Sequence, residues 1–186
     1  MPGDRAYGEV PFGGTEPKSD VKPPWDATAS VEIPGSGFRI SGYIDRLDIS
    51  GDGRRAVVRD YKTGRTPKDK IILDGGKELQ RCLYAFAAKA MLASDVAIKA
   101  SLLYLRDKTE LPLDDPESSL TEIAGYLRAA HTNLLSGGGV PGVDTGGAYD
   151  DLAFALPANA GAAYCKRKIG AATERLGAAA HVWEAA

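Results

Sequence analysis

The sequence has few of the residues on which several common classes of protein depend. Its 186 residues include only two cysteines and two histidines, with no spacing typical of a zinc site. Cys82 and Cys165 lie far apart, which argues against a disulfide framework and suits a reducing cytoplasm. No apolar run reaches membrane-spanning length, and the N-terminus, MPGDRAYGEV, has no signal-peptide core. We therefore expect a cytoplasmic protein with no membrane partner.

The charge balance and the missing motifs narrow the function further. The net charge is −2, so there is no global basic field of the kind that attracts nucleic acid, and such a role would need a local basic patch. No GxxxxGK[ST] phosphate loop occurs, and no Ser-His-Asp pattern can be argued from His131 and His181. The composition, 44% hydrophobic and 26% charged, is that of one globular domain over residues 1–186.

The most informative stretch is residues 37–64, GFRISGYIDRLDISGDGRRAVVRDYKTG. Asp52-Gly53 is a strong two-residue turn signal between apolar runs, so it predicts an antiparallel hairpin. Side chains alternate along a strand, so pairs two residues apart share one face. With these two residues at the centre of the turn, the pairs on that face are Ile49 with Ala56, Leu47 with Val58, Asp45 with Asp60 and Tyr43 with Lys62.

The predicted Asp45–Asp60 pair needs something to offset its repulsion, since opposed Cβ atoms lie about 5 Å apart. A divalent cation would do so, because carboxylates suit Mg²⁺ and Mn²⁺. A metal held there would polarise a phosphoryl oxygen, with Lys62 orienting water or stabilising charge, so phosphodiester hydrolysis is the natural reaction. The alternative is a solvated strand end in which Lys62 pairs with Asp60. Spacing alone leaves both open.

The rest of the chain predicts an α/β arrangement. An amphipathic helix over 76–94 carries Gln80 and Tyr84 on one face, where a surface polar residue and a core-edge aromatic are the simplest interpretations. His131 is expected to be a surface or packing residue. Before the hairpin, the sequence predicts an irregular N-terminal segment over 1–27 with an edge strand near 7–12, and a strand over 28–33 that completes a meander. After the first helix, it predicts a strand over 97–106 parallel to the hairpin and a helix over 118–135 capped by Ser118 or Ser119 with Glu122. The C-terminal part is predicted to be a flexible linker over 136–149 and a helix over 159–184.

Three blocks of sequence together resemble a known family. SGYIDRLDIS, VVRDYKTG and LQRCLYAFA, in that order within residues 37–92, resemble the PD-(D/E)XK nuclease superfamily, in particular the RecB/AddB-like nuclease domains of bacterial helicase–nucleases. EVPFGG at 9–14 is also similar to a stretch that such domains carry. The resemblance implies a restriction-endonuclease-like core, a mixed β-sheet with a central antiparallel hairpin flanked by the 76–94 and 118–135 helices.

The resemblance also implies a site and an activity. Its site residues are Asp45 and Asp60 as metal carboxylates, the Tyr61 backbone carbonyl as a further ligand, Lys62 as the catalytic lysine, and Gln80 and Tyr84 lining the site near DNA. The implied protein is a Mg²⁺- or Mn²⁺-dependent deoxyribonuclease, exonucleolytic, acting in DNA repair or recombination beside a helicase domain or subunit. The alternatives are an inactive nuclease-like DNA-binding or scaffold domain, and a phosphohydrolase of small substrates.

The sequence departs from the family pattern in two places. Relatives place a further metal-site His or Glu on a helix upstream of the first core strand, and no histidine precedes residue 131 here. We therefore expect either a fragment of a larger protein or an incomplete site, with Glu9 and Glu32 as weak substitutes. Many relatives carry an iron–sulphur cluster, but Lys168 stands where a second cysteine would follow Cys165, so no cluster is expected.

Overall fold

The computed structural model describes residues 4–18, 23, 25–68, 72–76, 78–138 and 156–185. A five-stranded mixed sheet has the order β1-β4-β5-β6-β7, and β2 and β3 form a separate two-stranded sheet. The strands are β1 (Arg5–Phe12), β2 (Val31–Glu32), β3 (Arg39–Ile40), β4 (Gly42–Ile49), β5 (Arg55–Lys62), β6 (Ala97–Tyr104) and β7 (Thr109–Pro112). The α-helices within these ranges are α1 (Gln80–Met91), α2 (Pro116–Leu135) and α3 (Gly161–Leu176). The α/β class and the mixed sheet are as predicted.

The turn between β4 and β5 forms where Asp52-Gly53 predicts it. Asp52 accepts hydrogen bonds from the Arg54 amide at 3.0 Å and the Ser50 hydroxyl at 2.6 Å. Gly53 has φ +70°, a conformation that side chains with a Cβ rarely adopt. The resulting register pairs Leu47 with Val58 and Ile49 with Ala56, which confirms the predicted register near the turn.

A helical crossover joins β5 to β6, which run parallel from Arg55–Ala97 to Lys62–Tyr104. The strand predicted as a parallel partner of the hairpin is therefore confirmed. Helix α1 packs on both strands, and its buried Ala85, Ala87 and Ala88 allow close approach because they carry the smallest apolar side chains. The packing fixes the start of α1 over the carboxyl ends of the central strands.

Helix α2 packs against α1 and against a 3-10 segment, Gly177–Glu184, that follows α3. The predicted cap at Ser118 or Ser119 with Glu122 is wrong. Asp115 caps the helix by accepting a hydrogen bond from the Ser118 amide at 3.0 Å. Pro116 follows it, and its fixed φ suits the first helical position. His131 on this helix packs edge-on against Phe38, as expected of a packing residue.

One strand prediction is wrong and another is confirmed. The meander strand predicted over 28–33 is only β2, which pairs with β3 rather than with the hairpin. The edge strand predicted near 7–12 is confirmed as β1, which is eight residues long and takes the position beside β4. Strand β7 was not predicted at all, because its four residues, TELP, end in proline and include few β-formers.

Several element boundaries also differ. Helix α1 begins at Gln80 rather than 76, because Asp74–Gly76 forms a 3-10 turn with Gly75 at φ +62°. The predicted C-terminal helix is confirmed over α3 but continues as the 3-10 segment. Of the predicted linker, residues 136–138 end α2 and the remainder lies outside the described residues. None of the described helices is long and apolar enough to cross a membrane.

Leu47 connects the layers of the core, because it is fully buried and paired with both β1 and β5. We expect Leu47→Ala to lower the free energy of unfolding by about 2–5 kcal/mol through lost contacts and a residual cavity. Leu134→Ala removes the same atoms from a side chain that is 53% exposed, and should change it by less than about 0.5 kcal/mol. Urea denaturation measures both, and equal losses would contradict this assignment of the core.

Candidate active site

The β4–β5 ladder stops one residue before the two predicted carboxylates. It runs from Ile49–Ala56 to Arg46–Arg59. In a continued ladder the Tyr61 amide would donate to the backbone of β4, but it donates instead to Oδ2 of Asp45 at 2.8 Å. The Asp45 carboxylate therefore replaces a backbone acceptor and is held against the end of β5.

Strand β1 is irregular at the same level. Its pairing with β4 reaches Gly8–Arg46 and resumes at Val10–Ile44. Glu9, between them, has φ +49°, in the left-handed region that non-glycine residues seldom adopt. Both neighbours of β4 thus depart from regular pairing at Asp45, which lets its carboxylate turn toward β5.

Asp60 is buried at 3% exposure, which is unusual for a carboxylate. Its Oδ2 lies 2.7 Å from Lys62 Nζ but receives no hydrogen bond of ordinary geometry. Burial raises the pKa of Asp60, the neighbouring Lys62 opposes that rise, and the charge of Asp45 adds to it. The end of β5 therefore holds a buried carboxyl oxygen that is incompletely satisfied.

Lys62 links β5 to the first turn of α1. Its ammonium donates a hydrogen bond to Oε1 of Gln80, and the Gln80 amide nitrogen lies 3.5 Å from the Tyr84 hydroxyl. Burial, together with the charges of Asp45 and Asp60, raises the pKa of Tyr84 to about 12. The structure thus places all of the predicted site side chains in one cluster, including the two for which a surface or packing role was the simplest interpretation.

Two of the expected cross-strand pairs are absent from the β4–β5 ladder. Asp45 and Asp60 lie beyond its last pair, and the repulsion between their carboxylates opposes a closely paired arrangement. Tyr43 does not face Lys62: it pairs with Pro11 on β1, and its hydroxyl donates to the Glu16 carbonyl at 2.6 Å. The carboxylates still interact electrostatically, since Asp45 raises the pKa of Asp60.

The sequence did not indicate two further members of the cluster. Burial raises the pKa of Glu78, and the charges of Lys62 and Arg81 oppose the rise. Tyr104 ends β6 opposite Lys62, and burial and the charge of Glu78 raise its pKa. A signal for Tyr104 was available, because the carboxyl ends of neighbouring parallel strands commonly border a ligand site.

A groove of about 440 Å³ adjoins the cluster on the side of Gln80 and Tyr84. Its volume lies within the range of ligand-binding clefts. The strand end at Arg39–Tyr43 forms the opposite wall. Gly42, at φ +153°, contributes no side chain to that wall. The groove combines aromatic rings, polar groups and one guanidinium.

The sequence profile of the PD-(D/E)XK nuclease superfamily matches residues 8–167. The chain belongs to this superfamily. The matched span includes the hairpin, α1 and the whole cluster described above, and the five-stranded mixed sheet with flanking helices is consistent with the superfamily's restriction-endonuclease-like fold. Membership indicates a metal-dependent nuclease acting on DNA. No curated protein matches the sequence.

PD-(D/E)XK nucleases generally use divalent metals, and the residues at this site fit one. The buried Oδ2 of Asp60 lacks a hydrogen bond, and a cation would satisfy it. Asp45 lies close enough to influence the pKa of Asp60, and carboxylate oxygens are the donors that Mg²⁺ and Mn²⁺ prefer. The donor set is small, however. Within the described ranges no group of three or more His, Cys, Asp or Glu side chains is arranged to hold a metal ion.

Neither substitute considered for a third carboxylate is placed in the cluster. Glu9 is paired with Lys18 at 2.5 Å, and both side chains are more than half exposed. Glu32 lies on β2 of the separate two-stranded sheet. Glu78 is a further carboxylate whose pKa responds to the charges of Lys62 and Asp60.

Metal binding should be visible as stabilisation of the folded protein. We expect Mn²⁺ at about 100 times its dissociation constant to raise the free energy of unfolding by about 2.7 kcal/mol. Asp60→Asn should abolish the increase, because it removes the buried anionic ligand. Asp95→Asn, which changes an exposed carboxylate before β6, should preserve it. Thermal denaturation with and without Mn²⁺ measures the effect, and an equal increase in Asp60→Asn would exclude this site.

Proposed function

We propose that the chain is a divalent-metal-dependent DNA nuclease that hydrolyses phosphodiester bonds at the cluster described above. Asp45, Asp60 and the backbone carbonyl of Tyr61 are the metal ligands, and Lys62 is the catalytic lysine. The observation that carries the proposal is the incompletely satisfied, buried carboxylate of Asp60 beside Lys62 in a member of a nuclease superfamily. Mg²⁺ is the proposed metal, with Mn²⁺ able to replace it.

The protein side chains have separable tasks in this proposal. The bound metal would polarise the phosphoryl oxygen and lower the pKa of a water ligand. Lys62, oriented by the hydrogen bond to Gln80, places a positive charge where negative charge develops on the phosphate. The pKa of Tyr84 is raised to about 12, so its hydroxyl stays protonated even in alkaline solution and can donate a hydrogen bond. Gln80 and Tyr84 also line the groove through which the DNA strand passes.

Removing Lys62 tests this assignment directly. We expect Lys62→Ala to lower kcat/KM for labelled linear DNA by about 10²–10³-fold, because a preorganised charge at the reacting phosphate is lost. Asp60→Asn should reduce cleavage at least as much, and chelation of the metal should abolish it. Lys99→Ala, on β6, and Asp95→Asn, in the turn before β6, remove exposed charges and serve as matched controls. Equal cleavage by the wild type and Asp60→Asn would remove the cluster from the mechanism.

We further propose an exonuclease of the RecB/AddB-like group that acts in DNA repair or recombination beside a helicase domain or subunit. The order of the three sequence blocks and the Gln80–Tyr84 spacing support this narrower assignment. An exonuclease acts only on a DNA strand that has a free end. We therefore expect linear DNA to be degraded progressively from its termini while covalently closed circular DNA stays intact. Gel analysis over time distinguishes the modes, and linearisation of circles would indicate an endonuclease.

One observation favours a second candidate, a nuclease-like domain that binds DNA without cleaving it. Among the described residues no group of three or more His, Cys, Asp or Glu side chains is arranged to hold a metal ion, so in this candidate the metal is held too weakly for turnover. Binding of DNA by the wild type without cleavage in either Mg²⁺ or Mn²⁺ would support this candidate over the nuclease.

A further inference from the structure

Two loops beside Lys62 form a continuous surface at the carboxyl ends of the parallel strands. One follows β5 at residues 63–68, and the other is the β6–β7 turn at residues 105–108. The Leu105 amide donates to the Lys62 carbonyl at 3.1 Å, so the turn begins directly beside the catalytic strand. In α/β sheets, ligands commonly bind in the crevice outside the carboxyl ends of the strands.

A charged side chain ties the two loops together. Asp107 in the turn accepts a hydrogen bond from the Thr66 amide at 2.7 Å. The hydrogen bond from the Thr66 amide, more than the nearby charge of Arg106, lowers the pKa of Asp107, so the carboxylate is ionised at neutral pH. The Thr109 hydroxyl donates to the Asp107 carbonyl at 3.2 Å, which further orders the turn. The surface is therefore organised before any ligand arrives.

This surface carries an excess of positive charge in a chain whose net charge is −2. Arg65, Arg106 and Lys108, named here the basic rim, are all exposed. None of the three forms a salt bridge with another residue that the structure describes. The only carboxylate in the turn, Asp107, is already engaged by Thr66. Cations that pair with no carboxylate in the described part of the chain, on an ordered surface, suit a polyanion better than a protein face.

The side chains next to these cations suit single-stranded DNA. Leu105 is 51% exposed, and Tyr104 beside it is half-buried. Accessible apolar and aromatic side chains close to cations are groups on which unpaired bases stack while phosphates contact the rim. A duplex would keep its bases away from these side chains.

We propose that the basic rim binds the sugar–phosphate backbone of single-stranded DNA that leads to the Lys62 cluster. The inference rests on the proposed nuclease function for its substrate but concerns a binding surface outside the catalytic cluster. Arg65 and Arg106 contact successive phosphates, and Lys108 extends the positive surface toward β7. The rim positions the strand and takes no part in the chemistry.

The dependence of binding on salt tests the rim. Binding of a fluorescent oligothymidine is measured by anisotropy in EDTA, so that neither metal binding nor cleavage contributes. We expect Arg65→Ala/Arg106→Ala to reduce the slope of log Kobs against log[salt] by about 1.4, since each lost contact on a single strand releases about 0.7 counterions fewer. Affinity at 0.1 M salt should fall by about tenfold or more.

Matched variants distinguish direct contacts between the rim and DNA from a general effect of the protein's positive charge. Arg54→Ala/Arg167→Ala removes two exposed arginines from the hairpin turn and α3, and it should leave the slope unchanged. Arg65→Lys/Arg106→Lys should restore most of the affinity, because phosphate contact needs positive charge. Unchanged melting temperatures would show that each variant folds.

The possible failures are distinguishable. Equal salt-dependence slopes for the rim variant and the control variant would overturn the proposed role of the rim, even if the wild type degrades DNA. If the rim variant loses affinity for duplex DNA but not for the oligothymidine, the assignment of the rim to single-stranded DNA would be overturned. A rim-dependent slope in a protein that cleaves no DNA would support the rim while the proposed nuclease function fails.

Discussion

The hydrogen bond from the Tyr61 amide to the Asp45 carboxylate is the interaction on which the candidate site depends. It ends the β4–β5 ladder, because the amide that would extend the pairing is directed to a side chain instead. A hydrogen bond to a charged group contributes about 1.5–3 kcal/mol, enough to offset the loss of one backbone bond. The regular pairing of the strands therefore ends just before Asp45 and Asp60, and this end follows from the hairpin's own geometry.

Asp60 imposes the complementary constraint. A carboxylate at 3% exposure is costly unless it is paired, and Lys62 satisfies it only in part. Gln80 holds Lys62 in place, so the position of α1 determines the electrostatics of β5. Arg81 follows Gln80 in α1 and is buried. It anchors the helix by donating hydrogen bonds to the Leu111 and Pro112 carbonyls of β7 at 3.3 and 3.2 Å. Strand β5, helix α1 and the edge strand β7 thus form one connected support.

Local signals predicted the parts of the fold whose causes are local. The Asp52-Gly53 turn fixed the hairpin register near Leu47, and apolar periodicity located α1. Partner choice over long distances could not be predicted in this way: β1 takes the place beside β4 that a nearer segment was expected to fill. Asp45, Asp60 and Lys62 were identified from the hairpin pattern, and Gln80 and Tyr84 from the family resemblance, whereas Glu78 and Tyr104 were missed. The arrangement of Asp45 was not predicted, since regular alternation assumes a ladder that its own carboxylate interrupts.

The distribution of charge follows from the same topology. A mildly acidic chain presents a basic surface only where its cations are separated from its carboxylates. Here the acidic side chains Asp45, Asp60 and Glu78 gather inside the cluster, where they influence one another's pKa values or those of their neighbours. The parallel crossover brings two loops to the same edge of the sheet, and Asp107 is consumed in joining them. Arg65 and Arg106 are left exposed beside these acidic side chains, and cations placed in this way would attract a polyanion to the edge of the site.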